Sequence, residues 1–169
     1  MTIKICVVDQ FDKEESDRLI KENLESLSVF IPSWEYLTEG DPNFKKEVKQ
    51  VRVAAFDGDE LVGLSWGRGE SKTRFLMQMS LVIESHRGRG IYKSMLKMML
   101  AQTREFDEID SFHNAFNNKI IAAKLKAGFH IIGLDNSYEV GTRIRMRYFN
   151  NQQLMKIMSF RMGLTDKPL

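Results

Sequence analysis

The chain has 169 residues, 43% of them hydrophobic, which is enough for one domain with a sizeable core and too apolar for a disordered tail. Lys and Arg number 25 against 23 Asp and Glu, and a net charge of +2 gives no support to a broad nucleic-acid or membrane-surface binder. The lone Cys6 excludes an internal disulfide and a Cys-based zinc cluster, and His86, His113 and His130 lack metal-ligand spacing, so no metal is expected. No apolar run approaches the roughly 18 residues of a bilayer span. Met1-Thr2-Ile3-Lys4, with acids soon after, is unlike a signal peptide, so a cytoplasmic protein is expected.

Ile3 to Val8 is a short β-branched run, and Asp9 and Asp12 offer N-caps for a helix from Lys13 to about Val29. Phe30 to Asn43 holds Pro32 and Pro42 and has no sustained period, the pattern of a loop. Val51–Phe56 and Leu61–Trp66 flank Asp57-Gly58, whose glycine supplies the positive φ of a hairpin turn. With the apolar run Phe75–Ile83, these predict three consecutive antiparallel strands. Beyond a Gly-rich bend, Ile91, Met95, Met98 and Met99 recur at helical spacing, leaving Lys93, Lys97 and Arg104 as a narrow charged stripe. Met-rich helices of this kind are adaptable core packing.

Ile109–Asn114 reads as a short strand, Asn117–Ala127 as a helix ended by Gly128, and Phe129–Leu134 as another strand. Tyr138–Tyr148 alternates: Val140, Thr142, Ile144, Met146 and Tyr148 face one way, Arg143, Arg145 and Arg147 the other. Alternation predicts that the arginines form a solvated row, and no stacking aromatics accompany them, so no nucleic acid is expected. A final helix from about Asn151 to Met162 packs on the domain or on a second copy, which leaves a homodimer open. No repeat or linker divides residues 1–169, so a single domain is expected.

The turn Ser85-His86-Arg87-Gly88-Arg89-Gly90-Ile91-Tyr92 lies between a strand and a helix, where backbone N–H groups converge into a phosphate-binding nest. It is neither a Walker A loop, because Tyr92 rather than Gly precedes Lys93-Ser94, nor a dinucleotide fingerprint, because Lys93 stands where the third Gly belongs. Leu81 to Tyr92, with its Arg-Gly-x-Gly-Ile core, resembles the acyl-CoA loop of the GNAT acetyltransferase superfamily. Asn117 with the Lys-Ala-Gly-Phe ending at Phe129 resembles that family's second motif, in the right order. The likeness in element order covers roughly Val51 to Tyr148.

The resemblance implies an α+β fold: a twisted, mixed, mostly antiparallel sheet of six to seven strands flanked by helices, with two central parallel strands splayed apart. It implies acetyl-CoA as cosubstrate, its pyrophosphate held by backbone amides of Arg87, Gly88, Arg89, Gly90, Ile91 and Tyr92, with charge from Arg87 and Arg89. Main-chain groups of Leu81, Val82 and Ile83 would pair with the pantetheine arm, and Asn117 belongs to the same cofactor set. An amide near Val82 would polarise the thioester. An acceptor amine would then attack directly, with no covalent enzyme intermediate, so the protein must manage an ammonium of pKa about 10.4 and a leaving thiolate. Cys6, in a strand, fits a buried structural thiol.

Two positions depart from the family pattern. Ser85 stands where Gln or Arg is common, and Lys124 where a Tyr general acid is common. Lys124 falls inside the apolar arc of its helix: it either faces the site, as proton donor or CoA contact, or snorkels to solvent. Candidate bases are Ser80 and Glu84, which share a side of the long strand by strict alternation unless a bulge intervenes, and His113 on the neighbouring strand; a water chain could replace them. For the acceptor, a small-molecule primary amine, Trp34 and Tyr36 could form a wall, with Glu35, Glu39 and Asp41 attracting a cation. Two other activities fit these residues: an acyl-CoA-binding regulatory module with little catalysis, and peptide or protein N-acetylation.

Overall fold

In a computed structural model, residues 2–24, 48–137 and 141–165 are described. Their elements run β1 (Ile3–Val7), α1 (Lys13–Leu24), β2 (Gln50–Asp57), β3 (Glu60–Gly69), β4 (Arg74–Val82), a 3₁₀ turn at Glu84–His86, α2 (Ile91–Gln102), β5 (Glu108–Asn114), α3 (Asn118–Lys126), β6 (His130–Ser137), β7 (Gly141–Phe149) and α4 (Gln152–Arg161). The seven strands form one sheet in the order β1-β2-β3-β4-β5-β7-β6. Among the described residues only β4 and β5 pair in parallel; every other pairing there is antiparallel. The expected mixed α+β sheet is therefore present, with four helices among the described residues.

Local chemistry sets the element ends. Asp12 caps α1 through Oδ1, which accepts from Glu15 N at 2.9 Å, and Asn117 caps α3 by accepting from Ile120 N. The last five residues of the first expected helix, 25 to 29, lie outside the described residues. At the β2–β3 hairpin Gly58 takes φ +63 while Asp59 stays at negative φ, the sign pattern of a type II′ turn.

The sheet has two differently covered faces. On the first, α2 and α3 bury Met95, Met99 and Ile121 against Val53, Val62, Phe75, Ile109, Phe129 and Met146. Ile91, Met95, Leu96 and Met99 of α2 are nearly inaccessible, each contributing about 2 kcal/mol of apolar burial. On the second face α1 lays Leu19 and Ile20 over Ala54, Leu61 and Leu64. No residue of α4 is fully buried.

The arginine row corrects the expectation of a solvated ladder. Arg145 and Arg147 both close on Asp110, whose carboxylate is fully buried, and Arg147 also reaches Glu108 at 2.8 Å. The cause is register: β5 lies beside β7, with Asp110 opposite Arg147 and Phe112 opposite Arg145. Burial alone would raise the Asp110 carboxyl, but hydrogen bonds and charge from Arg147 and Arg145 hold it below the ordinary carboxylate range.

One irregularity shapes the centre of the sheet. Trp66 pairs with Met79 and Gly67 with Met77, so Gln78 is an extra residue on β4, a β-bulge. The β4–β5 ladder runs from Arg74–Glu108 to Met77–Ser111 and stops at this bulge. Past it, β4 continues along β3 and β5 continues along β7, leaving a wedge between Met79–Val82 and Phe112–Asn114. The expected splay thus begins at Met77.

Candidate active site

The backbone lining the wedge follows from the ladder. Ile83 N donates to Val62 O at 3.0 Å and Ile83 O accepts from His86 N, so both Ile83 groups are committed inside the protein. Antiparallel alternation then turns Leu81 toward β3 and leaves Ser80 and Val82 with their N–H groups facing the wedge. Of the three strand residues expected at the pantetheine, Val82 has its main chain on the open side. Its carbonyl accepts from Arg87 Nε at 3.0 Å, and Arg87 Nη2 donates to Asn23 Oδ1 at 3.0 Å, so this arginine is drawn back across the strand end.

The Gly-rich turn has the geometry of a nest. Gly88 and Gly90 both take φ +79, a conformation strained for any L side chain, and nothing lies within 4 Å of where a Cβ would sit. Gly90 is the N-cap of α2, and no side chain caps that end. The first N–H groups of a 12-residue helix therefore open onto free space, where an anion is favoured. Arg89 is 3.6 Å from Asp57 Oδ2, and His86 bridges Asp57 and Ser85 at 3.1 and 2.9 Å. The loop is thus pinned to the β2–β3 hairpin. Ile91 is buried beneath it, and Tyr92 carries a buried hydroxyl with no partner among the described residues, its phenol pushed above its usual range by burial.

Lys124 does not snorkel. It is 1% exposed, its Nζ 2.9 Å from Met77 Sδ and 4.0 Å from the centre of the Phe129 ring. Since Met77 is the last β4 residue paired with β5, the amine stands at the apex of the wedge, on the first face. With a thioether and a ring as its contacts, desolvation lowers its pKa from 10.5 to about 7. His113 is its neighbour: Nε2 lies 3.1 Å from Ser111 Oγ, and burial first, then the charge of Lys124, lowers its pKa to about 4.

The other candidates divide. Ser80 Oγ is hydrogen-bonded to Ser65 Oγ at 2.7 Å, on the strand side facing α2. Glu84 does not share that side: β4 ends at Val82, and Glu84 opens the 3₁₀ turn that follows, whereas the Gln78 bulge lies before Ser80 and leaves the alternation from Ser80 to Val82 intact. There it lines a hollow with Arg18, Glu22 and Glu60 beside α1, away from the wedge apex. Asn117 serves as the α3 cap. Trp34 and Tyr36, with Glu35, Glu39 and Asp41, lie outside the described residues. The sequence reading missed Asp110 and Phe112; acids at 108 and 110 facing arginines at alternate positions were the available signal.

No protein-family model matches the chain, and no curated protein matches it by sequence. Solved structures do match. A GNAT family acetyltransferase from Elizabethkingia anophelis with acetyl-CoA bound superposes with TM-score 0.67 at 13% identity, over 87% of this chain and 97% of that one. The ribosomal-protein-S18-alanine N-acetyltransferase from Escherichia coli gives 0.65 at 12%, over 88% and 94%. An IAA acetyltransferase from Bacillus cereus gives 0.64 at 16%, over 88% and 99%. The superpositions run over nearly nine-tenths of the chain, including the seven-stranded sheet that opens at Met77: this chain has the fold of the GNAT acetyltransferases.

Proposed function

We propose that the chain transfers an acetyl group from acetyl-CoA to a primary amine, by direct attack in a ternary complex. The observation that carries this reading is the wedge itself: an uncapped helix N-terminus with two glycines at positive φ stands at one end, and a buried amine at its apex. Acetyl-CoA, when bound, supplies the activated acyl group. Backbone amides of the 87–92 turn would hold its diphosphate, with Arg89 adding charge. Val82 and Ser80 would pair with the extended arm, and Arg87 must leave the Val82 carbonyl as they do so. The Val82 N–H would stabilise charge developing on the thioester oxygen.

Lys124 is the proton donor to the departing thiolate. A pKa of about 7 leaves roughly half the amine protonated at neutral pH, poised to give up its proton. His113 is neutral there and can accept hydrogen bonds but binds a proton weakly. The Lys124→Ala variant tests the assignment: turnover falls while acetyl-CoA affinity is retained. The reading takes residues 1–169 as one domain. The reading places this action in the cytoplasm; no helix among the described residues is long and apolar enough to cross a membrane. Fold neighbours include an aminoglycoside 6'-N-acetyltransferase and the ribosomal-protein-S18-alanine N-acetyltransferase, so both small-molecule and protein acceptors occur on this architecture.

A further inference from the structure

Resting on the acetyl-transfer reading, we propose that the acceptor carries an anionic group, a carboxylate by preference, bound by Arg143 and Arg145 over the ring of Phe112. The two faces of the wedge are unequal. Lys124, His113 and the helix whose N-terminus forms the nest belong to the first face, so the second face is left for the acceptor. Phe112 is the first β5 residue beyond the β4 pairing and points to that second face, as Asp110 does. The Arg143 and Arg145 guanidinium carbons lie 4.8 and 5.5 Å from its ring centre.

Among the described residues, charge on this face is out of balance: Arg74, Arg143, Arg145 and Arg147 make four cations, and the described carboxylates they contact, Glu108, Asp110 and Asp135, make three. Asp110 is saturated: its two oxygens take four N–H donors from Arg145 and Arg147. It serves to fix those side chains, not to neutralise a neighbour. Arg143 pairs with Asp135 and its side chain is a third exposed, yet its Nε is buried without a hydrogen-bond partner among the described residues. A buried, unsatisfied guanidinium donor is costly unless something supplies an acceptor oxygen.

A carboxylate is the chemistry that fits, since planar two-point binding suits a guanidinium and balances the surplus cation. Arg143 stands opposite Asn114, two residues and about 7 Å along the strand from Phe112. The anion should therefore sit several ångströms outward from the reacting amine. That separation selects an amino acid with a spacer between amine and carboxylate over a polyamine.

The test uses matched pairs, β-alanine with β-alaninamide and 4-aminobutyrate with 4-aminobutyramide. The proposal expects kcat/KM at least about tenfold higher for the carboxylates in the wild type, converging toward the amides in Arg143→Gln. Acetyl-CoA binding serves as the folding control for that variant, and Arg143→Lys should recover only part of the preference. Amides turned over as well as the carboxylates would overturn the proposal. Calorimetric titration of CoA-saturated protein with 4-aminobutyrate separates the two readings. Binding lost in Arg143→Gln, without turnover of any amine, would sustain the anion site and refute acetyl transfer; no binding and no carboxylate preference would refute the anion site.

Discussion

The Lys124 ammonium nitrogen lies 2.9 Å from the Met77 sulfur, at the point where β4 and β5 part. A lysine in the interior with no carboxylate beside it among the described residues costs stability, and under the proposed mechanism its position at the opening of the wedge would give that cost a function.

If Lys124 donates the proton, Lys124→Ala should lower kcat by about 100-fold or more, with little change in acetyl-CoA affinity. In the wild type kcat should decline as pH rises through about 7, when the donor loses its proton. Steady-state kinetics across pH 5.5–9 check both points. An equal falling limb in the variant would assign it to another group.

The same residue predicts an unusual dependence of stability on pH. Its pKa is about 7 folded and 10.5 in the ordinary state, so between these values the unfolded chain binds more protons and stability rises with pH. The penalty is full below about pH 7 and vanishes above about 10.5. Lys124→Met should remove it, adding about 3–5 kcal/mol at pH 6 and almost nothing at pH 10.5. Urea unfolding of both proteins over this range measures the difference.

Asp110 makes the opposite case. Its folded pKa is lowered, so its contribution is present at neutral pH and is lost as pH falls through the carboxylate range. Asp110→Asn should cost about 2–3 kcal/mol, less than for a fully buried pair because Arg145 is a third exposed. The loss should shrink toward acid pH in chemical denaturation.

How far the sequence could be read depended on the kind of signal. Strict alternation in 138–148 and the Met spacing of α2 were enough to locate both elements, the strand itself running over Gly141–Phe149, and the Arg-Gly-x-Gly-Ile run located the Gly-rich turn. The bulge carried no such mark. Gln78 is neither Gly nor Pro, so its identity does not betray the extra residue, and no Gly or Pro marks the end of β4 at Val82 that takes Glu84 off the side of Ser80. Alternation also tells which way Arg145 points, but not which strand lies beside it. Pairing with Asp110 became evident only once β5 and β7 were seen as neighbours. Lys124 was legible in part: its place in the apolar arc of α3 left a site-facing and a snorkelling amine both open, and its burial against Met77 required the tertiary fold.

Gly90→Ala should separate folding from binding. At φ +79 with open space around the Cβ, the variant carries backbone strain of about 1 kcal/mol and no clash. Thermal unfolding should register that small loss. Acetyl-CoA affinity should fall more, by about tenfold, because the new methyl projects into the nest.

The most direct measurement is a calorimetric titration with acetyl-CoA of the wild-type protein and of Gly90→Glu, which puts bulk and negative charge into the nest. Saturable 1:1 binding by the wild type, abolished in the folded variant, is the predicted result. A folded wild-type protein that binds no acetyl-CoA would contradict the central claim.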